Sequence, residues 1–319
     1  METTPWPIFQ KQSEPHDGIT RLPEPPRWRS FVAPASITHG ATYQASDEEV
    51  AVVNAALFLR RPLLITGRPG VGKSSLAHAV AYQLQLGPVI EWRITTRSTL
   101  VEGLYSYDAV GRIEQVNLLR MGRGSASPPD IGDYLRLGPL GTALYPRNQP
   151  CVLLVDEIDK SDLDLPNNLL HVFEDGWFEI PELMRIARKQ PTVTVMGWDD
   201  QPLTIEGGKV RCKAFPFVIF TSNGERDFPP AFLRRCLRLT VQQPTREALL
   251  PIVLAHFKGQ EELLNRAIPV IDAFLALRDD EKRDLSTDQL LNAVFLVTQN
   301  VDPFSQAELE QAVLGSLSS

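Results

Sequence analysis

At 319 residues, 43% apolar and 22% charged, the chain has the length of about two average domains and can bury a real core, which excludes disordered and fibrous classes. Lys plus Arg number 32 against 39 Asp plus Glu, a net charge of −7, so nucleic acid is not the expected partner. The 3 cysteines (Cys151, Cys212, Cys236) lie far apart, the 5 histidines are scattered, no apolar stretch approaches the roughly 18 residues that span a bilayer, and METTPWPIFQ lacks the features of a signal sequence. A zinc ribbon, a disulfide scaffold and a membrane span are therefore not expected, and a reduced, cytoplasmic protein is.

Residues 1–45 read as a Pro-rich arm. Pro5, Pro7, Pro15, Pro23, Pro25, Pro26 and Pro34 disfavour helix, while Trp6, Phe9, Trp28 and Phe31 give the arm something to dock with, in cis or on a neighbouring subunit, a floppy tail being the alternative. Ser46 followed by Glu49 has capping-box spacing and opens a helix, VAVVNAALFLRR. Five apolar runs read as strands: LLIT, VIEWRIT, CVLLVDEID, FVIFTSN and LRLTV. Alternating with helices, they predict an α/β fold with a parallel five-stranded sheet over residues 46–243. Two stretches interrupt the alternation, at about 97–130 and 181–213. YSYDAVGRIEQV reads as a hairpin turning at Ala109 to Gly111, and PLTIEGGKVRCKA as one turning at Gly207-Gly208. Four helical segments after Gln243 predict a small all-helical domain over 244–319.

Gly67-Arg68-Pro69-Gly70-Val71-Gly72-Lys73-Ser74, followed by Ser75, fits G-x-x-x-x-G-K-[ST] between a strand and a helix. Glycines let backbone amides turn inward around a β-phosphate, Lys73 reaches the β/γ oxygens, and the Ser74 hydroxyl suits Mg²⁺. The helix that follows directs its positive end at the same phosphates. Asp156 and Glu157 end an apolar strand. Beside a phosphate loop, Asp156 reads as the metal carboxylate and Glu157 as the base that polarises water. The bland alternative is that the pair opens a solvated loop with Asp159 and Lys160.

The phosphate loop, LLVDEID, FTSN and PPAFLRRCLRL together resemble the AAA+ ATPase core. GPLGTALYP, LLHVFEDGWFEIPE and FPPAFLRRC are similar to the MoxR-type, helix-2-insert members. That resemblance implies ATP and Mg²⁺ as cofactors, ATP hydrolysis, and a homo-oligomeric, hexamer-type ring that remodels a protein client, with a von Willebrand factor A protein as the implied partner. It makes Asn223 the water-aligning residue and Arg234 or Arg235 an arginine finger acting in the neighbouring subunit, with Arg235 at the usual family position. It places adenine against Ala41 to Gln44, so Tyr43 and Gln44 are candidate contacts. The two insertions would face the ring's pore or rim, and Trp177 and Phe178 are either a grip on a partner or core. One departure stands out: Asp288 occupies the place where relatives carry a phosphate-sensing arginine, so either Arg283 or another basic residue substitutes or nucleotide sensing by the lid is weak. A slow nucleotide-gated switch or scaffold is the alternative reading; a DNA motor and a small-molecule kinase rank below it.

Overall fold

The computed structural model describes residues 6–11, 14–29, 40–121, 129–257, 261–280, 283–305 and 307–316. In chain order its elements are α1 (Asp47–Leu59), β1 (Leu63–Thr66), α2 (Lys73–Gln83), β2 (Ile90–Arg93), α3 (Leu100–Leu104), β3 (Tyr105–Tyr107), α4 (Ala109–Arg120), β4 (Leu135–Leu137), α5 (Pro139–Ala143) and β5 (Val152–Asp156). They continue with α6 (Leu165–Asp175), β6 (Trp177–Glu179), α7 (Pro181–Ile186), β7 (Thr192–Met196), β8 (Pro202–Glu206), β9 (Lys209–Arg211), β10 (Phe217–Ser222), α8 (Pro230–Arg235) and β11 (Leu237–Thr240). The last are α9 (Arg246–His256), α10 (Glu261–Leu275), α11 (Thr287–Thr298) and α12 (Ala307–Leu314).

The contacts divide the chain into two units. One holds residues 46–67 and 80–240; the other holds 1–45, 68–79 and 241–319, so the phosphate loop and the start of α2 group with the arm and the C-terminal helices. In the first unit the five expected strands form one parallel sheet in the order β11-β1-β10-β5-β2. Strands covered on both faces read as unbroken apolar runs, and β10 is buried along its whole length. Because the sheet is parallel, β1, β10 and β5 end side by side: Thr66 is in register with Ser222, and Phe220 with Val155. Ser46 caps α1 as its spacing predicts, the Ser46 N–H donating to Glu49 Oε2 at 2.7 Å and the Glu49 N–H to Ser46 Oγ at 3.3 Å.

A second, six-stranded sheet, β3-β4-β7-β8-β9-β6, was not expected from the sequence. Its β8–β9 turn is the Gly207-Gly208 hairpin, both glycines at positive φ (59° and 73°) as a two-residue turn requires. The other expected hairpin is absent. Asp108 caps a helix instead, its Oδ1 accepting from the Gly111 N–H at 2.8 Å, so the expected turn at Ala109 to Gly111 is the first turn of α4. Phe178 is core, 6% exposed, while Trp177 lies under two cations, Lys209 Nζ at 5.5 Å and the Arg211 guanidinium at 5.6 Å from its ring centre.

In the other unit α9 to α12 are the four expected helices, packed through Leu249, Val253, Ile271, Phe274, Leu290 and Val294. Part of the arm docks there in cis. Trp28 Nε1 donates to Asn292 Oδ1 at 3.1 Å, and its ring meets His256, Phe257 and Phe295 edge-on at 5.7–6.2 Å. Trp6 and Phe9 are exposed; Phe31 and Pro34 lie outside the described residues.

Candidate functional site

β1 delivers the chain to Gly67, and the loop Arg68-Pro69-Gly70-Val71-Gly72 runs into α2. Gly70 (φ 73°) and Gly72 (φ 96°) take left-handed backbone that side chains resist. Lys73 is buried, its Nζ donating to the Arg68 carbonyl at 2.8 Å, so the amine is curled into the loop that would hold the phosphates. Ser74 and Ser75 follow in the first turn of α2, both half-buried. Tyr43 lies against the loop: a Cβ on Gly72 would sit 3.5 Å from Tyr43 Cε2. Gln44, the neighbouring candidate, is exposed.

The C-terminal helices rest on the same loop. The Thr287 N–H donates to the Gly70 carbonyl at 3.3 Å, and a Cβ on Gly70 would fall 2.1 Å from Ser286 Cβ and 3.2 Å from Asp288 Oδ1. Gly70 is therefore required for close approach as well as for its φ. Arg68 Nη1 lies 3.7 Å from Asp284 Oδ1. Asp288 thus brings a carboxylate to the loop, at the position where the resemblance leads one to expect an arginine. Arg283 pairs with Glu310 at 3.1 Å.

In the other unit, the acidic pair hangs on a residue that sequence reasoning missed. Thr221, 1% exposed, donates from Oγ1 to Asp156 Oδ1 at 2.6 Å and accepts the Glu157 N–H at 2.9 Å. One hydroxyl on β10 so orients both carboxylate residues at the end of β5. Glu157 is left-handed (φ 59°, ψ 48°), a conformation costing an L residue about 1–2 kcal/mol. That bend turns the chain out of the strand immediately after Asp156. Glu157 Oε2 pairs with Lys160 Nζ at 2.7 Å, and this hydrogen bond above all raises the lysine's pKa.

Asp159 corrects the solvated-loop alternative at its own position: it is 6% exposed. Its Oδ2 accepts from Ser222 Oγ (3.0 Å), the Asn223 N–H (2.9 Å) and the Glu225 N–H (3.3 Å), fixing the turn that carries Asn223. The Asn223 side chain donates to Glu225 Oε1 at 3.3 Å. Arg226 fastens the turn in the opposite direction, its guanidinium donating to the Ser161 carbonyl at 2.7 Å. Two sets of hydrogen bonds therefore lie at the ends of β5 and β10, one tying Asp156 and Glu157 through Thr221 and one tying Asn223 through Asp159.

Arg234 and Arg235 end α8. Arg235 pairs through Nε with Glu174 of α6, whereas the exposed Arg234 guanidinium has no hydrogen-bond or ion-pair partner among the described residues. Within those residues no group of histidine, cysteine and carboxylate side chains is arranged to hold a metal by itself, and no helix is long and apolar enough to cross a membrane. A phosphate loop, a strand-end acid pair, a polar residue just past the adjacent strand and a pair of arginines are the parts that nucleoside triphosphate hydrolysis uses.

The family described as AAA domain (dynein-related subfamily) matches residues 62–236, more than half of the chain. Similar curated proteins are chaperones. The chloroplastic chaperone protein ClpD1 of Oryza sativa subsp. japonica is 28% identical over 244 residues, covering 70% of this chain and 24% of that protein. ClpC4 of the same plant is 27% identical over 248 residues (74% and 26%), and ClpB of Chlamydia trachomatis 33% over 121 residues (37% and 12%). The chain thus spans about a quarter or less of the length of these relatives. Among solved structures, NtrX from Brucella abortus in complex with ATP aligns with a TM-score of 0.43 at 15% identity, covering 89% of this chain and 57% of that one.

Proposed function

The chain belongs to the AAA domain family, dynein-related subfamily, and on that footing we propose that it is a Mg²⁺-dependent AAA+ ATPase of the MoxR type that works as a homo-oligomeric ring on a protein client. The observation that carries the hydrolytic part is the Thr221 bridge, which orients Asp156 and Glu157 at the end of the strand next to the one that leads into Asn223. In this reading residues 46–243 are the nucleotide-binding domain, 244–319 the lid and 1–45 an arm. The amides from Gly67 to Ser75 and the Lys73 amine bind the phosphates, and Tyr43, with Gln44, borders the adenine. Glu157 takes a proton from the attacking water, Asn223 holds that water in line, and Arg235 or Arg234 of the neighbouring subunit neutralises charge on the transferred phosphoryl group. Ser74 and Asp156 supply the hard oxygen donors that Mg²⁺ prefers, and both are half-buried. When bound, Mg²⁺ would supply Lewis-acid stabilisation of charge on the phosphates.

Similarity to Clp chaperones supports a protein client, and the MoxR-type resemblance supports a von Willebrand factor A protein as partner. Free thiols at Cys151, Cys212 and Cys236 suit a reducing, cytoplasmic setting. A second reading, a slow nucleotide-gated switch, is favoured by Asp288 beside the phosphate loop and by Lys160 holding Glu157. Glu157→Gln separates the two. A motor variant keeps ATP affinity and loses turnover that the parent shows; a parent that binds ATP and assembles on it without turnover is the switch. Salt-dependent retention on DNA would instead indicate a nucleic-acid motor.

A further inference from the structure

Phe220, in the middle of β10, is fully buried, and two rings close on it edge-on: Phe173 of α6 at 6.0 Å and Phe232 of α8 at 5.0 Å. This packing decides where the next residues emerge. Glu174 follows Phe173, and Arg235 lies just under one turn beyond Phe232. The two meet at the rim, where the Glu174 carboxylate accepts from Arg235 Nε and Arg235 Nη1 reaches the Ala231 carbonyl at 3.4 Å.

The backbone is held as well. α8 ends at Arg235, and the last carbonyls of a helix lack partners within it. Arg61, which precedes β1, supplies them: its Nε donates to the Arg235 carbonyl at 3.1 Å and its Nη2 to the Arg234 carbonyl. A cation at this helix end is also favoured by the helix dipole. One guanidinium tied to the central sheet therefore fixes the turn that carries both arginines, but only Arg235 has its side chain fixed too.

We propose that Arg61 and Glu174 are positioning residues for Arg235, the first holding its backbone and the second its guanidinium, so that this arginine rather than Arg234 is pre-oriented for the phosphate of a neighbouring subunit. The inference rests on the reading of the arginine as one that acts in trans. A long side chain ordered in advance loses less freedom on meeting its target, and its placement within about 1 Å governs its effect on rate. The Glu174–Arg235 pair is 50% and 40% exposed, so it is weak enough to exchange for a phosphate and orients the arginine without trapping it.

The test mixes two inactive chains. Glu157→Gln cannot hydrolyse at its own site but donates Arg235; Arg235→Ala keeps Glu157 but donates nothing. Mixed rings regain ATP turnover if the arginine acts between subunits. Glu174→Gln or Arg61→Met is then added to one partner at a time. The proposal expects a loss of about ten-fold in regained turnover when the change is on the donating chain, and none when it is on the Arg235→Ala chain. Particle mass by light scattering and the KM for ATP stay unchanged, and Arg61→Lys, which keeps one cationic donor group, recovers part of the loss. Equal losses in both placements, a gain, or no effect overturns the positioning role while leaving the trans arginine standing. Failure of the starting pair to regain any turnover overturns the trans arginine, and the proposal with it.

Discussion

Replacing Thr221 by valine keeps the shape of the side chain and removes one hydroxyl, 1% exposed, from the centre of the candidate site. Two interactions go with it: the donation to Asp156 Oδ1 at 2.6 Å and the acceptance of the Glu157 N–H at 2.9 Å. A hydrogen bond to a charged group contributes about 1.5–3 kcal/mol, and a buried N–H left without a partner costs about 1–3 kcal/mol. The Glu157 peptide can relax and recover part of this, so a loss of about 2–4 kcal/mol is expected. At about 2–4 °C per kcal/mol for a unit of this size, the Tm falls by roughly 4–16 °C. Relaxation has a second consequence, because the left-handed Glu157 (φ 59°) is held by that same bond. Once released it moves, and a carboxylate displaced by about 1 Å loses about 100-fold in rate. The comparison is Thr221→Ser, which keeps the hydroxyl and gives up a methyl group. Thermal unfolding and ATP turnover of the two variants should separate clearly. If valine and serine behave alike in both assays, the hydroxyl bridge does not organise the acidic pair.

Gly70→Ala adds a Cβ 2.1 Å from Ser286 Cβ at φ 73°, so strain and overpacking together cost about 2–5 kcal/mol, read as a lower Tm and weaker binding of a fluorescent ATP analogue. An unchanged nucleotide affinity would show that the loop tolerates displacement of residues 286–288. Asp159→Asn removes the charge that accepts the Asn223 and Glu225 amides; turnover should fall at least ten-fold while ATP affinity holds, since the phosphate loop is untouched. Burial pushes the Cys151 thiol up to about 11 and the Cys236 thiol up to about 12, so at pH 8 each is in the reactive thiolate form about once in a thousand or less. A thiol reagent should therefore label half-buried Cys212 first and the other two only on unfolding, and rapid labelling of all three in the folded protein would contradict this.

The parallel sheet was legible because strands covered on both faces are written as apolar runs, from LLIT to FVIFTS, and each run is a strand of the sheet. The phosphate loop was legible because its glycines and lysine are chemically required at fixed spacing. The second sheet was not, because β3, β4, β6 and β9 have three residues each, too few to show a period of two. α4 was misread for a related reason. Tyr105 to Val116 alternates loosely enough to suggest strands, and the helix buries no residue, so no helical stripe betrays it. Thr221 was hidden inside an apolar run, with its partners 64 and 65 positions away. The burial of Asp159 is not legible, because a run of charges usually stays in water; only the fold brings Ser222, Asn223 and Glu225 to cover it.

Hydrolysis completed by a neighbouring subunit is tested by measuring ATP turnover per chain against protein concentration, with particle mass followed by light scattering. Specific activity should rise steeply as rings assemble, and Arg235→Ala should abolish it while rings and ATP binding persist. Turnover that is the same per chain in the monomer as in the ring would contradict it.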